Sequence, residues 1–246
     1  MNALAYIRSS IFSVGYFILT VSYGTLSVLT WVLPSLLRHR IIASWTTVVI
    51  HWLCISCGVR YQVLGKENLS PKDAKDVAHV VLSKHQSAWE TLFLQSLFWP
   101  AATVLKKELL RIPFFGWGLI ALRPIAIDRS NPREALRQVK QKGLNRLASG
   151  LNIILFPEGT RMAPGERGTY ARSGADIAIS AGVSILPIAL NAAHCWPSNQ
   201  FLKKPGLVTV SIGPKISTEG KRSKEVMKEV EDWIETEMEK IDTPNT

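Results

Sequence analysis

No acidic residue occurs before Glu67, and residues 9–37 contain no charged residue of either sign. That uncharged stretch exceeds the ~20 residues needed to cross a hydrocarbon core. Cysteine is scarce, at Cys54, Cys57 and Cys195. Cys54 and Cys57 have the spacing of half a metal site, but no second pair follows. They read as small buried hydrophobes in a reducing compartment, and no metal is expected. There is no internal repeat, no low-complexity tract and none of the usual nucleic-acid-binding motifs. The aromatics cluster in apolar segments, so a formal net charge of +10 favours anionic lipid over nucleic acid. Hydrophobic content of 47% and a mean hydropathy of +0.12 are high for a soluble domain, and the excess lies at the N-terminus.

Arg8 precedes the uncharged stretch, and Arg38, His39 and Arg40 follow it. A signal peptide would have a shorter apolar core and a small-residue cleavage site, and neither is evident, so the segment is expected to be retained. In a second apolar run, residues 41–59, Ser44, Thr47, His51, Cys54 and Gly58 fall at helical spacing opposite Ile41, Trp45, Val48, Trp52 and Ile55. The pattern predicts an amphipathic helix on which His51 is a hydrogen-bonded structural residue. Residues 1–60 are thus expected to be membrane-anchoring helices. Two spans, one span with an interfacial helix, and a hairpin embedded from one side all remain open.

Residues 61–246 read as an α/β domain. Short strands are predicted at 61–64, 78–82, 103–105, 125–127, 152–156, 184–189 and 208–212. Helices are predicted from Asn131 to Gly150, with Asn131 as cap and Pro132 first, and over 171–181 and 223–240. Residues 66–76 read as a polar loop. The expected fold is a mixed central sheet of about seven strands flanked by helices, with a two-helix N-terminal membrane anchor.

The most informative stretch is Lys84-His85-Gln86-Ser87-Ala88-Trp89-Glu90, after the apolar run Val80-Val81-Leu82. One reading is a capping box, in which Ser87 accepts from the third helical amide and Glu90 reaches back. The other makes His85 a general base whose imidazole Glu90 orients. Five residues within a helix differ by about 140° around its axis, so the pair can meet only if His85 lies ahead of the helix and Glu90 in its first turn.

Further strand ends carry charge. Phe156-Pro157-Glu158-Gly159-Thr160-Arg161 follows the strand at 152, and its proline and glycine predict a tight turn pointing Glu158 and Arg161 into one mouth. Ile127-Asp128-Arg129 and Lys106-Lys107-Glu108 end two more strands. Lys106, Arg129 and Arg161 together would suit a phosphate monoester.

These blocks resemble those of the glycerolipid acyltransferase superfamily, and most nearly its bacterial 1-acyl-sn-glycerol-3-phosphate acyltransferases. The stretch from His85 to Glu90 resembles the His-x4-Asp block. Lys106-Lys107-Glu108-Leu109, Pro113-Phe114-Phe115-Gly116-Trp117 and Ile127-Asp128-Arg129 resemble the second block, residues 156–161 match the third, and Leu186-Pro187-Ile188 resembles the fourth. The family's usual aspartate is Glu90 here, and Arg172 stands where many relatives have lysine. The resemblance implies that His85 deprotonates the sn-2 hydroxyl of lysophosphatidic acid as it attacks an acyl thioester, with Glu90 holding the ring. No cofactor is required. It further implies substrate contacts from Lys106, Arg129, Glu158, Gly159, Thr160, Arg161 and Pro187, with Glu158 positioning the glycerol. The donor would be acyl carrier protein or acyl-CoA, and the product phosphatidic acid. The expected location is the bacterial inner membrane, with the site on its cytoplasmic face. An enzyme acting on another lysolipid or on glycerol 3-phosphate, and a non-catalytic lipid-binding protein, are the alternatives.

Overall fold

The computed structural model describes residues 3–69, 78–128 and 130–242, so the predicted polar loop lies outside them from residue 70 onward. Helix α1 (Ala3–Leu29) runs into a 3-10 turn, Thr30–Val32. It stops at Pro34, because proline disfavours the helical conformation in its predecessor, and Leu33 is extended at φ −80°, ψ 154°. Helix α2 (Ser35–Cys57) ends on Gly58, whose φ of 72° lets its amide close onto the Cys54 carbonyl. The uncharged stretch is therefore two helices meeting at a proline.

Both helices are long and apolar enough to cross a membrane. The two pack along each other. α1 leaves Ile7, Ile11, Val14, Phe17 and Ile18 exposed, while α2 buries Ile42, Trp45, Val49 and Leu53. Ser44, Thr47 and His51 are exposed, as the helical pattern predicted. Val48 and Ile55, placed on the opposite face, are exposed as well, because the buried stripe follows Ile42, Val49 and Leu53 instead. A His51 ring nitrogen lies 2.8 Å from the Thr47 carbonyl, a local bond of structural kind.

Seven strands follow among the described residues: β1 (Val59–Leu64), β2 (Val80–Ser83), β3 (Ala101–Lys106), β4 (Ile125–Ile127), β5 (Asn152–Leu155), β6 (Ile185–Leu190) and β7 (Gly206–Ile212). Every predicted strand is present, with ends shifted by at most two residues. Their order is β1-β7-β6-β2-β5-β3-β4, and all neighbours are parallel except β6 and β7. Helices α3 (Trp89–Leu97), α4 (Phe115–Ala121), α5 (Pro132–Ala148), α6 (Ser173–Ala181) and α7 (Ser223–Ile241) complete the fold. The predicted cap of α5 forms, with the Asn131 side chain accepting from the Glu134 amide.

Strand alternation divides the core between the two faces of the sheet. Val81, Ile154 and Leu186 face Trp45, Val49 and Phe93 on the α2 and α3 side. Val80, Leu82, Ile153 and Ile185 face Val139, Ile177 and Val230 on the α5, α6 and α7 side. Each fully buried aliphatic side chain contributes about 1.5–3 kcal/mol. Because β2 is covered on both faces and flanked by β5 and β6, its carboxyl end is rigidly placed at the point where chain connections diverge. In open α/β sheets ligands bind at such points.

Candidate active site

The chain leaves β2 through Lys84 and His85 and enters α3 at Trp89. The helix begins later than the capping box required. Ser87 Oγ therefore accepts from the Trp89 amide at 3.2 Å rather than from the third helical amide. It also donates to the Trp196 carbonyl at 2.6 Å. A buried hydroxyl committed in this way is poorly placed as an acylated nucleophile. Glu90 does reach back. Its Oε1 accepts from the Ser87 amide at 2.6 Å, the Gln86 amide at 2.8 Å and His85 Nδ1 at 2.8 Å. One carboxylate oxygen thus both caps the backbone and meets the imidazole.

This geometry fixes the tautomer. An oxygen already receiving two backbone N–H groups acts as acceptor, so His85 Nδ1 is the donor and Nε2 keeps its lone pair. Glu90 is fully buried in the first turn of α3, where the helix dipole favours an anion. The imidazole stacks on Phe156, with centroids 4.1 Å apart and planes at 22°, which fixes its tilt. Nothing in the sequence singled out Phe156 for this contact beyond its place at the end of β5.

Glu158 does not sit where expected. The turn Phe156–Gly159 closes through the Gly159 amide on the Phe156 carbonyl at 3.0 Å, with Gly159 at φ 70°. It folds Glu158 underneath His85 and leaves Thr160 and Arg161 exposed. The Glu158 side chain is 0% exposed; Oε1 lies 2.8 Å from Lys84 Nζ, and Oε2 accepts the His85 amide at 2.8 Å. Burial pushes its pKa up, against the opposing pull of Lys84 and that amide. It holds the segment that carries His85 and is not among the residues lining the cavity beside that histidine.

Pro187 does not line the cavity either. It is buried in β6 opposite Leu82, away from the cavity. The β6–β7 ladder pairs Ile188 with Ile212 and resumes only at the Ile185–Ile216 bridge, one residue out of register. A bulge of that kind is where a strand tolerates proline, so the role is structural.

Gly159, Thr160 and Arg161 do line the cavity, together with His85 and Lys106. Its volume is about 830 Å³, and from His85 it passes Leu92, Val104, Leu119 and Leu122. The side chains of Lys106 and Arg161 make no hydrogen bond or ion pair among the described residues, which leaves two cations for an anionic ligand. Lys107 is engaged by Asp128, whose carboxylate also accepts from Ser130 and is held well below the usual carboxylate range by these donors. Arg129 lies outside the described residues. Arg172 is exposed between the cavity-lining Ala171 and Ser173.

Residues 60–191 match the family model described as Acyltransferase. The chain is 41% identical to a 1-acyl-sn-glycerol-3-phosphate acyltransferase of Pseudomonas aeruginosa, covering 98% of this chain and 94% of that one. The chain belongs to the acyltransferase family. A 1-acyl-sn-glycerol-3-phosphate acyltransferase of Saccharomyces cerevisiae is 28% identical over 80% of this chain and 65% of its own length. The crystal structure of the 1-acyl-sn-glycerophosphate acyltransferase of Thermotoga maritima superposes with a TM-score of 0.76 at 24% identity. It covers 95% of this chain and 94% of that one, and it shares the fold. His85 stands at the wall of this largely apolar cavity.

Proposed function

We propose that this acyltransferase moves a fatty acyl group from a thioester to the sn-2 hydroxyl of 1-acyl-sn-glycerol 3-phosphate, giving phosphatidic acid. The observation that carries the reading is the pairing of His85 and Glu90 at 2.8 Å beside a large cavity rimmed by the cations Lys106 and Arg161. The near full-length likeness to the Pseudomonas enzyme supports the same acceptor.

In the proposed reaction His85 Nε2 takes the hydroxyl proton as the oxygen attacks the thioester carbonyl. The C–O bond forms, the C–S bond breaks, and the imidazolium returns its proton to the departing thiolate. The buried Glu90 carboxylate stabilises the transient imidazolium. Arg161 grips the phosphate through a bidentate fork and Lys106 acts as a point charge, while Gly159 and Thr160 line the acceptor's path. Arg129 joins them by the resemblance alone.

Acyl carrier protein or acyl-CoA serves as donor. Residues 1–60 anchor residues 61–246 to the bacterial inner membrane, with the site on the cytoplasmic side; the exposed apolar face of α1 supports seating among membrane lipids. The test is a head-group series with detergent-purified protein. Lysophosphatidic acid should be acylated, while lysolipids whose phosphate is esterified to a second alcohol should be poor acceptors. Equal turnover of both classes would refute the phosphate-monoester role.

A further inference from the structure

Lys84 is 1% exposed, and an ammonium is among the side chains least tolerant of burial. Its burial is explained by what surrounds it. Nζ lies 2.8 Å from Glu158 Oε1, 2.9 Å from Glu235 Oε1 and 2.9 Å from the Glu166 carbonyl. Two of its N–H donors are met by hydrogen bonds to Glu235 Oε1 and the Glu166 carbonyl, and Glu158 Oε1 completes the site as an ion-pair partner. Glu158 comes from the turn after β5, Glu166 from the loop before α6, and Glu235 from α7. Tyr170 donates to the same Glu235 oxygen at 2.7 Å, fixing that carboxylate in turn.

Beyond the peptide bond between Lys84 and His85, the cluster reaches the histidine through a hydrogen bond. Glu158 Oε2 accepts the backbone N–H of His85, so the carboxylate held by Lys84 sets the orientation of the peptide carrying the imidazole. We propose that Lys84 and Glu235 are positioning residues for His85, acting through Glu158 and tying the C-terminal helix α7 to the catalytic loop. Lys84 clamps Glu158, Glu235 clamps Lys84, and neither touches substrate. The proposal rests on the reading of His85 as the base.

Amide chemistry supplies a test that plain destabilisation would not pass. In Glu158→Gln the side chain has one carbonyl oxygen to offer either the His85 amide or the Lys84 ammonium, and its NH2 opposes whichever donor is left. In Lys84→Met the carboxylate loses its cation. In the double variant the glutamine oxygen serves His85 while its NH2 faces no cation. Each single variant should lower kcat by roughly 10- to 100-fold, the loss expected from misplacing a reacting group by about an ångström, with the acceptor KM nearly unchanged. The double variant should recover activity above both singles. Losses that simply multiply would overturn the proposal, as would wild-type kcat in folded Lys84→Met.

If Lys84→Met does not fold, the α7 side of the cluster decides. Glu235→Leu should lower kcat, and Glu235→Gln, which keeps an oxygen for both Lys84 and Tyr170, should restore most of the loss. Equal, undiminished kcat in both would refute the coupling. His85→Ala is run alongside. If that variant turns over normally the assignment of the base is wrong, whereas an inactive His85→Ala beside an unaffected cluster would sink the positioning proposal alone.

Discussion

Replacing Glu90 by aspartate restores the residue usual in the resembling family, yet it should damage this chain. One methylene fewer withdraws the carboxylate by about 1.5 Å, the length of a C–C bond. Contacts now at 2.6–2.8 Å would open to about 4 Å, beyond hydrogen-bond range. The Gln86 and Ser87 amides would then be buried without acceptors. Each hydrogen bond to a charged group contributes about 1.5–3 kcal/mol, so partial relaxation of the loop leaves a net loss of about 3 kcal/mol. For a chain of this size that corresponds to a fall in Tm of about 6–12 °C. The imidazole loses its anchor in the same step, and kcat should drop roughly 10- to 100-fold. Thermal unfolding in detergent and steady-state acyl transfer measure the two effects on one preparation. A Glu90→Asp enzyme with unchanged Tm and kcat within about twofold of wild type would refute the assignment of both tasks to one oxygen.

Further outcomes follow from the same geometry. Arg161→Ala should raise the KM for the phosphorylated acceptor and leave that for the thioester largely unchanged, and the reverse pattern in initial-rate kinetics would remove Arg161 from the phosphate site. Glu158 is raised above its ordinary value of 4.5 by burial, so the folded protein binds that proton more tightly than the unfolded chain. Its contribution to stability is fully present below 4.5 and is lost as pH rises through the raised folded value. Urea unfolding across that window should show a slope in wild type that Glu158→Gln lacks, and identical slopes would contradict the burial argument. Asn131→Ala should cost about 1 kcal/mol, read as a lower urea midpoint, because the cap of α5 is lost.

The fold was legible in the sequence where burial imposes composition. The β2 run Val80-Val81-Leu82 and the β5 run Ile153-Ile154-Leu155 are covered on both faces, so they appear as unbroken apolar stretches. The α5 cap was equally plain, because Asn131, Pro132 and Glu134 act locally. Less legible were features set by direction. Glu158 and Arg161 stand three residues apart in a turn, and sequence spacing does not say that one turns inward and the other outward. The buried face of α2 differs from the expected one because a helix bearing apolar residues on several sides, with Val48 and Ile55 left exposed, does not announce which side meets the sheet. Pro187 stands beside a bulge in the β6–β7 ladder, which sequence spacing does not reveal. The burial of Lys84 is not legible because lysine is ordinarily a surface residue, and the α7 carboxylate that justifies it lies 151 positions away. The Gln86 and Ser87 amides matter through their shared acceptor, Glu90 Oε1, which spacing alone does not specify.

The most direct test is transfer of a labelled acyl group to lysophosphatidic acid from acyl carrier protein and from CoA, with wild type beside His85→Ala. Phosphatidic acid should form with wild type and fall by about 10²–10⁴-fold in the variant, while expression and unfolding temperature stay near normal. Near-normal turnover by His85→Ala would contradict the central claim that this histidine, held by Glu90, is the base.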